Sequence, residues 1–165
     1  MNITNTLNLP QPLVEALTMS KYDKVGDFSV TELIQPPRIR VLRKRHSAEI
    51  TVDASENVWI MLGSCIHDLL SRMKTDNALS EERLTIKVGD FTISGKPDLY
   101  TEDGTLYDFK ITSSWTLVYE DNGRKDWESQ LNSYACLLMA HGFPVKALKI
   151  VAILRDWTKS KVGDN

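Results

Sequence analysis

The chain has 165 residues, 42% hydrophobic and 25% charged, with a formal net charge of -2. This is enough for one full-sized core and excludes a protein that coats nucleic acid along its whole surface. No apolar run reaches the roughly 18 residues of a membrane span, and the two cysteines, Cys65 and Cys136, lack a second Cys or His at metal-clip spacing. Zinc clips and iron-sulfur clusters are thereby excluded, and reduced, buried thiols compatible with cytoplasm are expected.

Residues 1–26 are polar and punctuated by Pro10, Pro12 and Gly26, so they are expected as a loosely attached arm with one short helix around 11–19. The opening MNITNTLNLPQPLVEAL lacks the basic-then-apolar layout of a secretory signal. Residues 27–165 are expected to form a single domain. In FSVTELIQPPRIRVLRKRH a helical turn starts at Ser29 or Thr31, breaks at Pro36 and Pro37, and a new helix runs from Arg38 onward. That helix carries Arg38, Arg40, Arg43, Lys44 and Arg45 with no acid among them. A solvated face is the ordinary reading of such a run, but the missing acids point to nucleic-acid phosphates.

In SENVWIMLGSCIHDLLSRM, Trp59, Leu62, Ile66, Leu69, Leu70 and Met73 recur at helical spacing behind Ser55 as N-cap, predicting a long core-facing helix. Residues 83–89 and 91–95 alternate apolar with polar around Gly89-Asp90 and predict a hairpin. Residues 105–111 make a third strand in the same meander. A polar loop through Asn122-Gly123 leads to a helix with Trp127, Leu131, Tyr134, Ala135, Leu138 and Met139 in register and Gly142 as its stop. The run ALKIVAILRDW reads as a buried strand returning parallel to the third with a right-handed connection, and TKSKVGDN as a frayed tail. The expected fold is α/β in the mixed α+β sense, a four-stranded mixed sheet flanked by helices in the order αβββαβ.

The stretch GKPDLYTEDGTLYDFKIT carries Asp98, Asp108 and Lys110. A two-residue Asp103-Gly104 turn would pair Leu99 with Asp108 and turn Asp98 to the opposite face. A three-residue Glu102-Asp103-Gly104 loop, with Gly104 left-handed, would oppose Thr101 to Thr105 and set Asp98 across from Asp108 beside Lys110. Two facing carboxylates repel unless positive charge joins them, and Mg²⁺, with its few protein carboxylates and retained waters, matches that need. Leu106, Phe109 and Ile111 are expected to make the third strand apolar on its other side, with helices covering both sheet faces, so Asp108 and Lys110 are expected to be covered and to need a partner.

Gly-x-x-Asp (Gly95 to Asp98), Asp-x-Lys (Asp108 to Lys110) and Gln-x-x-x-Tyr (Gln130 to Tyr134), preceded by a helix carrying His67, resemble the PD-(D/E)XK nuclease superfamily. The resemblance is to its RecB-like exonuclease branch, including phage-encoded nucleases, and covers roughly residues 55–156. It implies a restriction-endonuclease-like core and Mg²⁺ or Mn²⁺ held by Asp98, Asp108, the carbonyl of Phe109 and His67. Lys110 would position water and scissile phosphate, with Gln130 and Tyr134 bracing Lys110 or the DNA backbone. Gly63, one turn before His67, would let that helix approach the sheet closely. Glu82 is a candidate outer acid, and Trp115 or Tyr119 a candidate base-stacking aromatic.

The four cysteines of the iron-sulfur subgroup are absent. The implied function is a DNA exonuclease of recombination, replication or repair in the cytoplasm of a bacterium or phage-infected host. The alternative is a catalytically silent nucleic-acid-binding module of the same fold. Relatives often continue with further helices beyond the last core strand, so a fragment of a longer nuclease also fits the pattern.

Overall fold

A computed structural model of the chain describes residues 2–19, 25–73, 77–118 and 124–157. In chain order the first elements are β1 (Asn2–Thr4), α1 (Gln11–Thr18), β2 (Phe28–Ser29), α2 (Val30–Ile34), α3 (Pro37–Arg45), β3 (Thr51–Asp53) and α4 (Val58–Arg72). Then come β4 (Ala78–Ser80), β5 (Leu84–Val88), β6 (Phe91–Gly95), β7 (Leu99–Thr101), β8 (Thr105–Thr112), α5 (Ser114–Val118), α6 (Lys125–Ala140) and β9 (Ala147–Leu154). The class is mixed α+β. The chain divides into two compact units, one of Met1–Met73 with Thr85–Gly95, the other of Lys74–Leu84 with Lys96–Asn165.

In the first unit, β1 pairs in parallel with β3, from Asn2 opposite Thr51 to Thr4 opposite Asp53. The expected loose arm is therefore a working part of this unit, and its helix α1 buries Leu17. Ser29 caps α2 as anticipated, accepting from the Glu32 N–H while Glu32 accepts from the Ser29 N–H, a reciprocal capping box. Pro37 opens α3, whose φ it pre-sets without sacrificing a needed N–H.

Asp53 ties the N-terminal strand down. Its Oδ1 accepts from the Ser55 Oγ at 2.6 Å and the Ser55 N–H at 3.1 Å. Its Oδ2 accepts from the Thr6 N–H at 2.8 Å and Thr4 Oγ1 at 2.9 Å. These bonds, the Ser55 hydroxyl foremost, hold the carboxyl far below the ordinary aspartate value. A depressed folded-state pKa adds stability that is present above the unfolded pKa, about 4, and is lost as pH falls below it. Urea midpoints at pH 7 and pH 3 should therefore converge between wild type and Asp53→Ala as the pH is lowered. Parallel loss in both proteins would disprove the linkage.

The second unit holds a four-stranded mixed sheet in the order β4-β7-β8-β9. β4 and β8 each run antiparallel to β7, while β9 is parallel to β8 from Thr105 opposite Ala147 to Thr112 opposite Leu154. Helix α6 packs on β8 and β9 and buries Leu131, Tyr134, Ala135, Leu137 and Leu138. Its end has the anticipated glycine stop: Gly142 has φ +84, its N–H reaches Met139 O and the Phe143 N–H reaches Leu138 O.

Several expectations are corrected. A mixed four-stranded sheet exists, but the 83–89 and 91–95 strands are not in it. They form β5 and β6 of a separate sheet, β2-β6-β5, where β6 runs parallel to β2. The meander breaks at Lys96, Pro97 and Asp98, outside any strand, and Pro97 cannot donate to a ladder. The 78–80 strand, absent from the expected pattern, takes the vacated place beside β7.

The amphipathic helix α4 buries none of its residues fully, and Trp59, Leu69 and Met73 are more than half exposed. Cys65 and Cys136 are likewise exposed rather than buried. β9 is an edge strand with Leu148, Ile150, Val151 and Ile153 partly exposed, where a buried strand was expected. Leu106 shares the Asp108 side of β8 by alternation, so of the three apolar residues expected on the other side Phe109 and Ile111 alone lie there. The Asn122-Gly123 loop, Tyr119 and the tail from residue 158 lie outside the described residues.

Candidate active site

The site in the second unit starts from its turn. Leu99 pairs with Tyr107 and Tyr100 with Leu106, so the loop between the strands has three residues, Glu102, Asp103 and Gly104. Gly104 takes the left-handed conformation, φ +88, that such a loop requires. Asp103 locks the turn: its Oδ1 accepts from Thr101 Oγ1 at 2.6 Å and the Thr105 N–H at 3.1 Å, and its Oδ2 from Thr105 Oγ1 at 3.0 Å. The same bonds, the Thr101 hydroxyl first, lower the Asp103 pKa. Of the two alignments open in the sequence, the three-residue loop is the one adopted.

Continuing that register one step places Asp98 opposite Asp108, and alternation puts Lys110 on the same face. Asp98 Oδ2 accepts the Phe109 N–H at 2.7 Å. Asp108 is buried, 1% exposed, with Lys110 Nζ 2.8 Å from its Oδ2. Lys110 Nζ also donates to Gln130 Oε1 at 2.7 Å, and Gln130 Nε2 donates to Tyr134 Oη at 3.0 Å. Gln130 and Tyr134, one turn apart on α6, therefore hold the lysine over the buried carboxylate. A cation held at two points, by Asp108 and Gln130, in a mostly covered position is pre-oriented toward whatever approaches Asp98 and Asp108.

The acid flanking Asp98 is Glu81, not the exposed Glu82. One carboxylate oxygen of Glu81 and one of Asp98 lie within 4.8 Å of each other. Glu81 also pairs with Lys96, Oε2 to Nζ 2.5 Å. The two adjacent glutamates differ by one step in a segment whose short strand has too few residues to display a period, so the sequence carried no signal to choose between them. The carboxylate oxygens of Asp98 and Asp108 are hard donors of the kind Mg²⁺ or Mn²⁺ takes.

The remaining candidates are His67 and the α3 basic residues of the first unit and Trp115 of the second. His67 is partly buried on α4. On α3, Arg38, Arg43, Lys44 and Arg45 are exposed. Arg40 differs: its guanidinium lies 4.8 Å from the Phe28 ring centroid and donates to Glu32 O at 3.4 Å. Arg40 thus has a packing role beside its charge. Trp115 on α5 is 59% exposed. The Ser114 N–H and Oγ bond Asp156 at 2.7 and 3.0 Å, which fixes the start of that helix.

No family model matches the chain, and no curated protein matches it. Among solved structures, one titled "Crystal structure of SSO0001" is similar at a TM-score of 0.53 and 23% identity, over 85% of this chain and 67% of that one. That likeness concerns the fold.

Proposed function

We propose that the chain is a metal-dependent nuclease with a restriction-endonuclease-like core that hydrolyses DNA phosphodiester bonds. Its place would be as an exonuclease in phage or bacterial recombination, replication or repair. The observation carrying this reading is the register that sets Asp98 opposite a buried Asp108, with Lys110 held over it by Gln130 and Tyr134. The resemblance of these residues to the PD-(D/E)XK pattern supports it.

Asp98, Asp108 and the Phe109 carbonyl would hold Mg²⁺ or Mn²⁺, and the ion would neutralise charge developing on the scissile phosphate. Lys110 would orient the attacking water and stabilise the same developing charge through its fixed ammonium. Gln130 accepts from Lys110, which keeps the ammonium from rotating away, and Tyr134 in turn orients the Gln130 amide. Arg38, Arg43, Lys44 and Arg45 would contact backbone phosphates, and Trp115 would stack a base.

End-labelled linear and closed circular DNA, each incubated with and without Mn²⁺, tests the reading. Cation-dependent loss of linear DNA, abolished by Asp108→Asn, is the expected result. Salt-sensitive DNA binding with no cleavage under any condition would instead leave a catalytically silent binding module. Full cleavage by Asp108→Asn would remove the proposed centre.

A further inference from the structure

We propose that Glu81 is a positioning residue for Asp98. This deepens the nuclease reading above and rests on it. Residues 96–98 belong to no strand, and Pro97 has no N–H to give, so no regular ladder sets the backbone where Asp98 leaves the sheet. Glu81 grips this segment on both sides of the proline. Its backbone N–H is shared between Pro97 O at 3.1 Å and Asp98 O at 3.2 Å. Its carboxylate reaches past the proline to Lys96 Nζ at 2.5 Å. Ser80 Oγ, at the end of β4, adds a bond to Asp98 O at 3.2 Å.

The conformation of Glu81 is unusual for the residue type. It has φ +56, the left-handed region that glycine and asparagine favour, and its side chain is only 12% exposed. A turn needing only this backbone shape would be better served by glycine, which retains the N–H donor without the steric cost. The carboxylate therefore has work the backbone cannot do. With Lys96 and Asp98 two residues apart on either side of Pro97, the ion pair orients the segment from which Asp98 reaches the Phe109 N–H. Glu81 acts on the site through Asp98 and Lys96, as outer partners of metal-binding carboxylates do.

Glu81→Gly and Glu81→Gln separate this role from a merely structural one. Glycine keeps the shared N–H and relieves the left-handed strain but deletes the carboxylate, whereas glutamine keeps the length and a hydrogen bond to Lys96. The urea midpoint of Glu81→Gly is expected at or above that of wild type. Its Phe109 amide, read by ¹⁵N–¹H NMR, should move upfield as the bond to Asp98 loosens. Its Mn²⁺ affinity should fall about tenfold or more, with Glu81→Gln recovering most of the loss.

An unmoved Phe109 amide and unchanged Mn²⁺ affinity in Glu81→Gly would overturn the proposal. So would a drop in midpoint matched by equal broadening across the whole sheet, since that reports general loosening. Failure of the nuclease reading looks different: wild type would neither bind Mn²⁺ nor cut DNA, while the Phe109 amide would still report whether Glu81 holds Asp98.

Discussion

Lys110→Met is expected to lower the unfolding free energy by about 3–5 kcal/mol, the usual penalty for taking one member from a buried ion pair. The lysine ammonium lies 2.8 Å from a carboxylate that is almost fully covered, and it also satisfies Gln130. Methionine fills much the same volume, so packing changes little and the electrostatic term dominates. Removing the acid as well should restore much of the loss, because an amide tolerates that environment better than an anion does. The double variant Asp108→Asn with Lys110→Met thus gives a coupling energy by urea denaturation. Strictly additive effects would mean that the two groups do not depend on one another. Under the proposed function, both single variants also lose DNA hydrolysis, so stability and chemistry are read separately.

Gly104→Ala is expected to be more damaging than Gly89→Ala, although both glycines take a left-handed φ. A left-handed φ costs a residue with a Cβ about 1–3 kcal/mol on its own account. At Gly104, φ +88, the added Cβ would also lie 2.9 Å from Pro144 O and 3.0 Å from Lys146 Cγ. Backbone cannot yield as a flexible side chain can. The Gly104 carbonyl accepts from the Lys146 N–H at 2.8 Å, so the displacement would be carried to the start of β9.

Gly89 supplies the control. Its φ is +60, but nothing lies within 4 Å of the Cβ position, so Gly89→Ala bears the conformational cost alone. A lower urea midpoint for Gly104→Ala than for Gly89→Ala, with a matching loss of Mn²⁺ binding, is the expected pattern. Equal midpoints would show that the Pro144 contact relaxes freely. The functional consequence follows from register. Gly104 closes the loop that sets Asp98 across from Asp108, so strain there acts on the site without touching either carboxylate.

What the amino-acid sequence determined by itself was local. Ser29 with Glu32 wrote a capping box, Pro37 a helix start and Gly142 a helix stop, because each depends on groups within a few residues. The Glu102-Asp103-Gly104 loop also belongs here. The sequence narrowed it to two alignments, and the hydrogen-bonding reach of Asp103 to Thr101 and Thr105 favours the longer one. The Lys110, Gln130 and Tyr134 contact was legible only through the family resemblance, since nothing local brings a strand lysine to a helix twenty residues later.

Only the tertiary structure decided which strands share a sheet. Alternation marks a strand but not its neighbour, and β5 and β6 found β2 while the three-residue β4 took the place beside β7. That exchange selected Glu81 over Glu82, because the residue just after β4 is the one whose N–H meets Pro97 and Asp98. Burial was likewise beyond the pattern: periodicity shows which side of α4 or β9 is apolar, but not whether another element covers it. Ile150 and Val151 stay partly exposed in β9, which among the described residues ends the sheet order β4-β7-β8-β9, a fact that no stretch of β9 encodes.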